Sequence, residues 1–263
     1  MVKMKKNTII VLIIAVVFVA VIMNFLPFGP KGKSEQEETI NEVFTKVDVE
    51  TENVEIEILP TNSSVAEIRL EGNKNNKYKL VTKVEGNTLH IEVEDRLFRW
   101  FSFGFFNSSP AALKVFLPER GYDTIEAVTD NGKISASEME ANVVNMEADN
   151  GKILLDNIKS ASFNFEVDNG EVTLNDIEGE INGSSNNGRI SFITETLDRP
   201  ITLETDNGTI DIQTDERPTN ATFDINVDNG KVTVFGESNY DTIIGNGDNL
   251  IELTADNGKI TIE

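Results

Sequence analysis

The amino-acid sequence predicts an all-β chain: a single-stranded parallel β-solenoid with turns of about 20 residues, preceded by one N-terminal transmembrane helix. Three observations predict it. The tripeptide Asp-Asn-Gly returns throughout the second half of the chain, the segments between its copies alternate apolar and polar residues, and the chain opens on one long apolar run. Alternation with period two is the mark of a half-buried strand. Recurrence at a fixed spacing is the mark of a stacked repeat.

The N-terminus comes first. Residues 1–8 carry Lys3, Lys5 and Lys6, and residues 9–28 run from Ile9 to Phe28 with Asn24 as a polar break. About twenty apolar residues is the length a helix needs to cross the hydrocarbon core. Lysines ahead of the span favour a cytoplasmic N-terminus and an exported body. A cleaved signal peptide is the competing reading, but Ile22-Met23-Asn24-Phe25-Leu26-Pro27 offers no small-x-small cleavage site. Residues 29–42, with Gly29, Pro30, Gly32 and a polar run from Ser34 to Glu38, read as a short solvated linker. The extracytoplasmic domain is then 43–263.

Charge narrows the partners. The chain has 23 Lys and Arg against 45 Asp and Glu, a formal charge of −22. Its first 33 residues hold Lys3, Lys5, Lys6, Lys31 and Lys33 and no acid, so the rest carries 18 basic and 45 acidic groups, or −27. Such a body is repelled by nucleic acid and by anionic headgroups, which excludes nucleic-acid binding by sign. There is no cysteine and one histidine, so disulfides, thiolate metal sites and multi-histidine centres are excluded. His90 falls on the charged side of its strand and reads as a solvent-facing polar residue.

Before the repeats, Val54-Glu55-Ile56-Glu57-Ile58, Leu89-His90-Ile91-Glu92-Val93 and Leu113-Lys114-Val115-Phe116-Leu117 alternate as strands, with Gly72-Asn73 and Gly86-Asn87 as turns. The repeats follow as Asp130-Asn131-Gly132, Asp149-Asn150-Gly151, Asp168-Asn169-Gly170, Asn186-Asn187-Gly188, Asp206-Asn207-Gly208, Asp228-Asn229-Gly230 and Asp256-Asn257-Gly258. Their glycines are separated by 19, 19, 18, 20, 22 and 28 residues.

The tripeptide has the chemistry of a corner. Glycine accepts positive φ, asparagine tolerates it, and aspartate can bond backbone N–H groups two residues on. Two architectures fit. In one, Asn-Gly closes a hairpin and Val167 faces Val172. In the other, equivalent corners stack, and Asn131, Asn150, Asn169, Asn187, Asn207, Asn229 and Asn257 form an amide ladder at about 4.8 Å. The near-constant period favours stacking. Stacked aspartates repel, so each carboxylate is expected to cap its own turn. A bound calcium ion is the competing reading, although the Gly-Gly-x-Gly-x-Asp signature of calcium-binding β-rolls is absent. No cofactor is otherwise expected.

One segment breaks the pattern. Phe98, Arg99, Trp100, Phe101, Phe103, Phe105 and Phe106 crowd a connection between two strands, where a polar turn is the norm. They fit either a hydrophobic cap on the first coil or an exposed patch for a partner.

The anchor, the Val54–Pro60 strand, Leu113–Pro118 and the Asp-Asn-Gly series together resemble the bacterial putative-adhesin β-solenoid family that contains the LiaG envelope protein. The resemblance covers residues 43–263. It implies a β-solenoid outside a Gram-positive-type membrane and supplies no catalytic residues. The expected function is a non-enzymatic envelope protein that binds or scaffolds, with a cell-wall polymer or an envelope protein as partner. An accessory role in an envelope-stress response is the alternative. A polysaccharide-degrading enzyme is a third reading, weakened because no carboxylate pair stands out and Arg189, Arg199 and Arg217 are scattered.

Overall fold

Each Asp-Asn-Gly unit forms two strands meeting at a corner, and the computed structural model shows what alternation achieves. Side chains such as Phe163, Phe165 and Val167 before the corner, and Val172 and Leu174 after it, point inward and are buried. The polar residues between them stay at the surface. The structure describes residues 35–73, 77–95, 111–238 and 242–263. The expected helix at 9–28 and the aromatic segment at 97–106 lie outside these residues. Among the described residues every regular element is a strand, and no helix is long and apolar enough to cross a membrane.

The strands are β1 (Gln36–Ile40), β2 (Lys46–Thr51), β3 (Glu55–Thr61), β4 (Ala66–Glu71), β5 (Tyr78–Glu85), β6 (Thr88–Asp95) and β7 (Ala112–Pro118). They continue with β8 (Gly121–Thr194), which winds through several coils, then β9 (Ile201–Thr214), β10 (Ala221–Val234), β11 (Ile243–Ile244) and β12 (Asn249–Ile262). Corners lie on corners in parallel register: Asn187 is paired with Asn207, Asn207 with Asn257, and Asn257 with Asn229. Parallel pairing of equivalent residues is the stacked arrangement and rules out the hairpin.

The stack does not follow chain order. β12 lies between β9 and β10, pairing in parallel with both, so the final repeat is inserted beneath the one before it. The other end shows the same device. β2 and β3 are sandwiched between β8 and the outer pair β6 and β7. Beyond these the sheet turns antiparallel: β5 pairs β6, β4 pairs β7, and β1 pairs β4. The purely parallel solenoid expected from the repeats is therefore closed at its N-terminal end by antiparallel strands. These keep Leu89, Leu113, Val115 and Leu117 wholly buried. β1 also falls inside the stretch read as linker up to residue 42. It is an edge strand with Ile40 as its one buried side chain, so it carries no apolar alternation to betray it.

A second corner recurs on the opposite side of the coils at Glu138, Asn157 and Asp176, each with φ near +50°. An apolar residue follows each and is buried: Met139, Ile158 and Ile177. Interior fit is close. A Cβ on Gly183 would lie 2.1 Å from the Phe165 ring, so the large residue of one coil occupies the space left by glycine in the next.

Candidate functional site

The corner builds the most regular surface of the molecule. The asparagine side chains form a continuous amide ladder: Asn131 donates to Asn53, Asn150 to Asn131, Asn169 to Asn150, and Asn187 to Asn169, at 3.1–3.3 Å. Asn207 then donates to Asn187, Asn257 to Asn207, and Asn229 to Asn257, at 3.1–3.2 Å. The ladder joins every asparagine expected, but in spatial rather than chain order. It also takes in Asn53, whose neighbours Glu52 and Val54 hide it from a search for the tripeptide. Asn169→Ala removes two rungs of this ladder at an exposed site. A loss of about 1–2 kcal/mol, read as a lowered melting temperature, is expected.

The glycines have a different role from the one the tripeptide suggested. Gly132, Gly151, Gly170, Gly208, Gly230 and Gly258 are not in the positive-φ region. They are required because backbones touch. A Cβ at Gly151 would sit 1.9 Å from the carbonyl oxygen of Gly132, and one at Gly170 would sit 1.8 Å from that of Gly151. The contact relaxes where the stack meets β3, since a Cβ on Gly132 would be 3.1 Å from the Val54 oxygen.

The aspartates also depart from expectation. Among the described residues the one hydrogen bond to a corner carboxylate is from Asn186 to Asp168, at 2.7 Å. Asp130, Asp149, Asp206, Asp228 and Asp256 do not cap the backbone of their turns. They are exposed, and water screens their repulsion. Among the described residues no group of three or more His, Asp or Glu side chains is arranged to hold a metal ion.

The two outer faces differ. The face before the corners is acidic, with Glu126, Glu147 and Glu166 around a groove of about 280 Å³ that Asn145 and Asn164 also line. Desolvation in the groove, then the charges of Glu166, Asp149, Glu126 and Asp168, raise the carboxyl of the exposed Glu147 above its ordinary range. A raised acid favours folding while protonated, and that advantage is lost as pH rises through its folded value. Glu147→Gln should therefore raise the melting temperature slightly near pH 7 and leave it unchanged near pH 4. The face after the corners carries Lys133, Lys152, Arg189, Lys259 and Lys231, interrupted by Glu171 and Thr209. Lys152 pairs with Glu171 at 2.8 Å, and Arg189 with Asp211 at 3.8 Å. Here Leu59, Ser135, Leu154 and Thr173 line a shallow groove of about 350 Å³.

The remaining polar candidates are engaged in holding the fold. His90 accompanies Asp48 at 2.8 Å on the acidic face. Arg199 donates to the carbonyls of Ile177 and Thr196 and to the Thr194 hydroxyl. Arg217 lies 4.6 Å over the Phe235 ring. Asp198 accepts from the backbone N–H and hydroxyl of Thr219 and from the N–H of Asn220, at 2.7–3.1 Å. Desolvation opposes its ionisation, but the bonds from Thr219 and Asn220 outweigh it and hold the carboxyl below the ordinary range. A depressed acid stabilises above its unfolded pKa, and this is lost as pH falls through the folded value. Asp198→Ala should cost about 1–2 kcal/mol near neutral pH and progressively less on acidification, measured by melts across pH.

The sequence model of the family described as Toastrack DUF4097 matches residues 44–178 and again 122–263. The chain belongs to the Toastrack DUF4097 family. The chain is also similar to solved structures. A putative adhesin from Bacteroides fragilis superposes with a TM-score of 0.50 at 12% identity, over 89% of this chain and 99% of that one. A putative cell adhesion protein from Clostridium sporogenes gives 0.43 at 16% identity, over 87% and 98%. A putative lipid binding protein from Parabacteroides distasonis gives 0.44 at 14% identity, over 89% and 98%. No curated protein matches the sequence. At 12% identity the likeness to the Bacteroides fragilis structure speaks for the fold alone.

Proposed function

We propose that this Toastrack protein is a non-enzymatic, single-pass membrane protein of the cell envelope, with its N-terminus in the cytoplasm and its β-solenoid outside. The solenoid presents a rigid surface for binding or scaffolding, as an adhesin does. The observation that carries this reading is the corner surface, where exposed amides and carboxylates repeat at strand spacing along the stack. Such a surface suits an extended partner with its own repeat, a neutral or basic cell-wall polymer or envelope protein, rather than a small substrate. Arg189, Arg199 and Arg217, the cations a glycan-cleaving site would draw on, are each engaged with a neighbour in the fold. The N-terminal lysines and the apolar run at 9–28 support the topology.

The absence of cysteine makes the topology simple to test. With Asp206→Cys at an exposed corner, an impermeant maleimide should label intact cells, whereas Lys3→Cys should react only after permeabilisation. Labelling of Asp206→Cys only after permeabilisation would overturn the topology. Incubation of the full chain in detergent with cell-wall and membrane fractions tests binding, and recovery of neither fraction would count against it.

A further inference from the structure

Asn-Gly is the dipeptide in which asparagine is chemically least secure, because a glycine nitrogen has no side chain beside it to hinder attack on the asparagine amide. The corners carry seven copies, and the stack does not hold them equally. Asn131, Asn150, Asn169, Asn187, Asn207 and Asn257 are each held on both sides, donating to one neighbour and accepting from the other at 3.1–3.3 Å. Their glycines are half-buried, and each has another corner glycine pressed against its carbonyl oxygen. Asn229-Gly230 differs. Asn229 donates to Asn257 at 3.2 Å, but among the described residues no side chain donates to its Oδ1. Gly230 packs on the Gly258 carbonyl, no corner glycine packs on its own, and it is the one exposed corner glycine. The contacts that cover this outer coil, Glu237 with Val234 and β11 with Ala221 and Thr222, lie at the two ends of β10, away from the corner at its middle. Local sequence does not separate the corners, since Asp-Asn-Gly-Lys is identical at 130–133, 149–152, 228–231 and 256–259.

We propose that Asn229 is a site of spontaneous, age-dependent modification, converting to aspartate and isoaspartate while the six stacked corners stay intact. The Gly230 nitrogen, losing its proton to solvent base, attacks the Asn229 side-chain carbonyl carbon. The new N–C bond forms, the bond to the amide nitrogen breaks, and ammonia leaves with a proton from solvent. Water then opens the cyclic imide at either carbonyl, with no change in oxidation state. Ring closure requires the side chain to leave the ladder and the corner to bend. Inside the stack this breaks two rungs and parts glycines packed on both sides, whereas at Asn229 it breaks one rung and parts one contact. Local opening costs least at the end of a stacked array and most in its interior. The product matters to the fold. A carboxylate at 229 cannot donate, so the rung to Asn257 is lost, and isoaspartate adds a main-chain carbon at the corner of β10. Two further Asn-Gly pairs stand off the ladder: Gly183, after Asn182, faces the Phe165 ring, and Gly247, after Asn246, donates its N–H to the Ile244 carbonyl at 3.2 Å.

The test holds the full chain in detergent at mildly alkaline pH and samples it over time. Each sample is digested, and mass spectrometry with fragmentation places every exchange of an amide for an acid. Asn229 should convert at least roughly tenfold faster than Asn131, Asn150 and Asn257, which share its tetrapeptide. In denaturant the four should convert at similar rates, which assigns the difference to the fold. Equal rates at Asn229 and Asn150 in the folded chain would overturn the proposal. An Asn229 that stays intact in the folded chain while its denatured counterpart converts would also overturn it. So would a denatured chain in which Asn229 already outpaces the others by the same factor.

Discussion

Truncation of the chain before Asp248 is expected to destroy the C-terminal part of the fold rather than shorten it. β12 is held on both sides, with its backbone paired to β9 and to β10, and Ile251, Leu253, Ala255, Ile260 and Ile262 are all fully buried. Even the last residue is tied in, its N–H bonding the Ile212 carbonyl and its carbonyl accepting from Thr214, both at 3.0 Å. Loss of one buried Ile or Leu costs about 2–5 kcal/mol. Losing β12 removes several at once and strips β10 of its thirteen-residue parallel pairing. The sum exceeds the roughly 5–15 kcal/mol that holds an ordinary domain together. Limited proteolysis should then cut at Arg217 and Lys231, while coils 124–194 resist. In a solenoid stacked in chain order the last repeat would be a dispensable end, and its removal would leave Lys231 protected.

The second large effect is expected at the corner glycines. Gly170→Ala places a methyl group 1.8 Å from the Gly151 carbonyl oxygen, over a backbone contact that no side-chain rotation can relieve. The coils must separate locally, stretching both the amide ladder and the sheet bonds beside it. About 3 kcal/mol is expected, the upper end of overpacking costs, which in a chain of this size lowers the melting temperature by roughly 6–12 °C. Gly121→Ala is the control, because a Cβ there meets nothing within 4 Å. It should fall within about 0.5 kcal/mol of the parent. If the glycines served only to permit a turn conformation, both substitutions would be mild, since neither residue has positive φ.

The sequence made the stack legible because identical corners leave identical residues. Parallel coils, corner asparagines in a ladder and strands at 54–58, 89–93 and 113–117 all follow from alternation and period. Three features were not legible, for physical reasons. Coil order is set by tertiary packing, and the trace it leaves is the widening of glycine spacing to 22 and then 28, the longer gap containing the connection from β10 to β12. Asn53 joins the ladder by position, not by motif. β1 is held by backbone pairing at a sheet edge, with a polar sequence that periodicity cannot flag. The second corner at Glu138, Asn157 and Asp176 had a signal, a polar residue followed by Met or Ile at a spacing of 19, but a weaker one than Asp-Asn-Gly. The reading of glycine and aspartate failed for a shared reason. A single corner considered alone suggests turn chemistry, whereas the glycines are selected by backbone contact between corners and the aspartates are exposed to water.

The insertion of β12 is the feature on which the order of the stack rests, and paired cysteines on the acidic face test it directly. Thr202 is the register partner of Glu252, and Asp224 lies one coil further on, also beside Glu252. Neighbouring strands hold paired residues at about 5 Å, within disulfide reach, and residues two coils apart at roughly 10 Å, beyond it. Thr202→Cys with Glu252→Cys should therefore close an intramolecular disulfide, and Thr202→Cys with Asp224→Cys should not. The reverse pattern would mean that the coils follow chain order and would contradict the architecture described above.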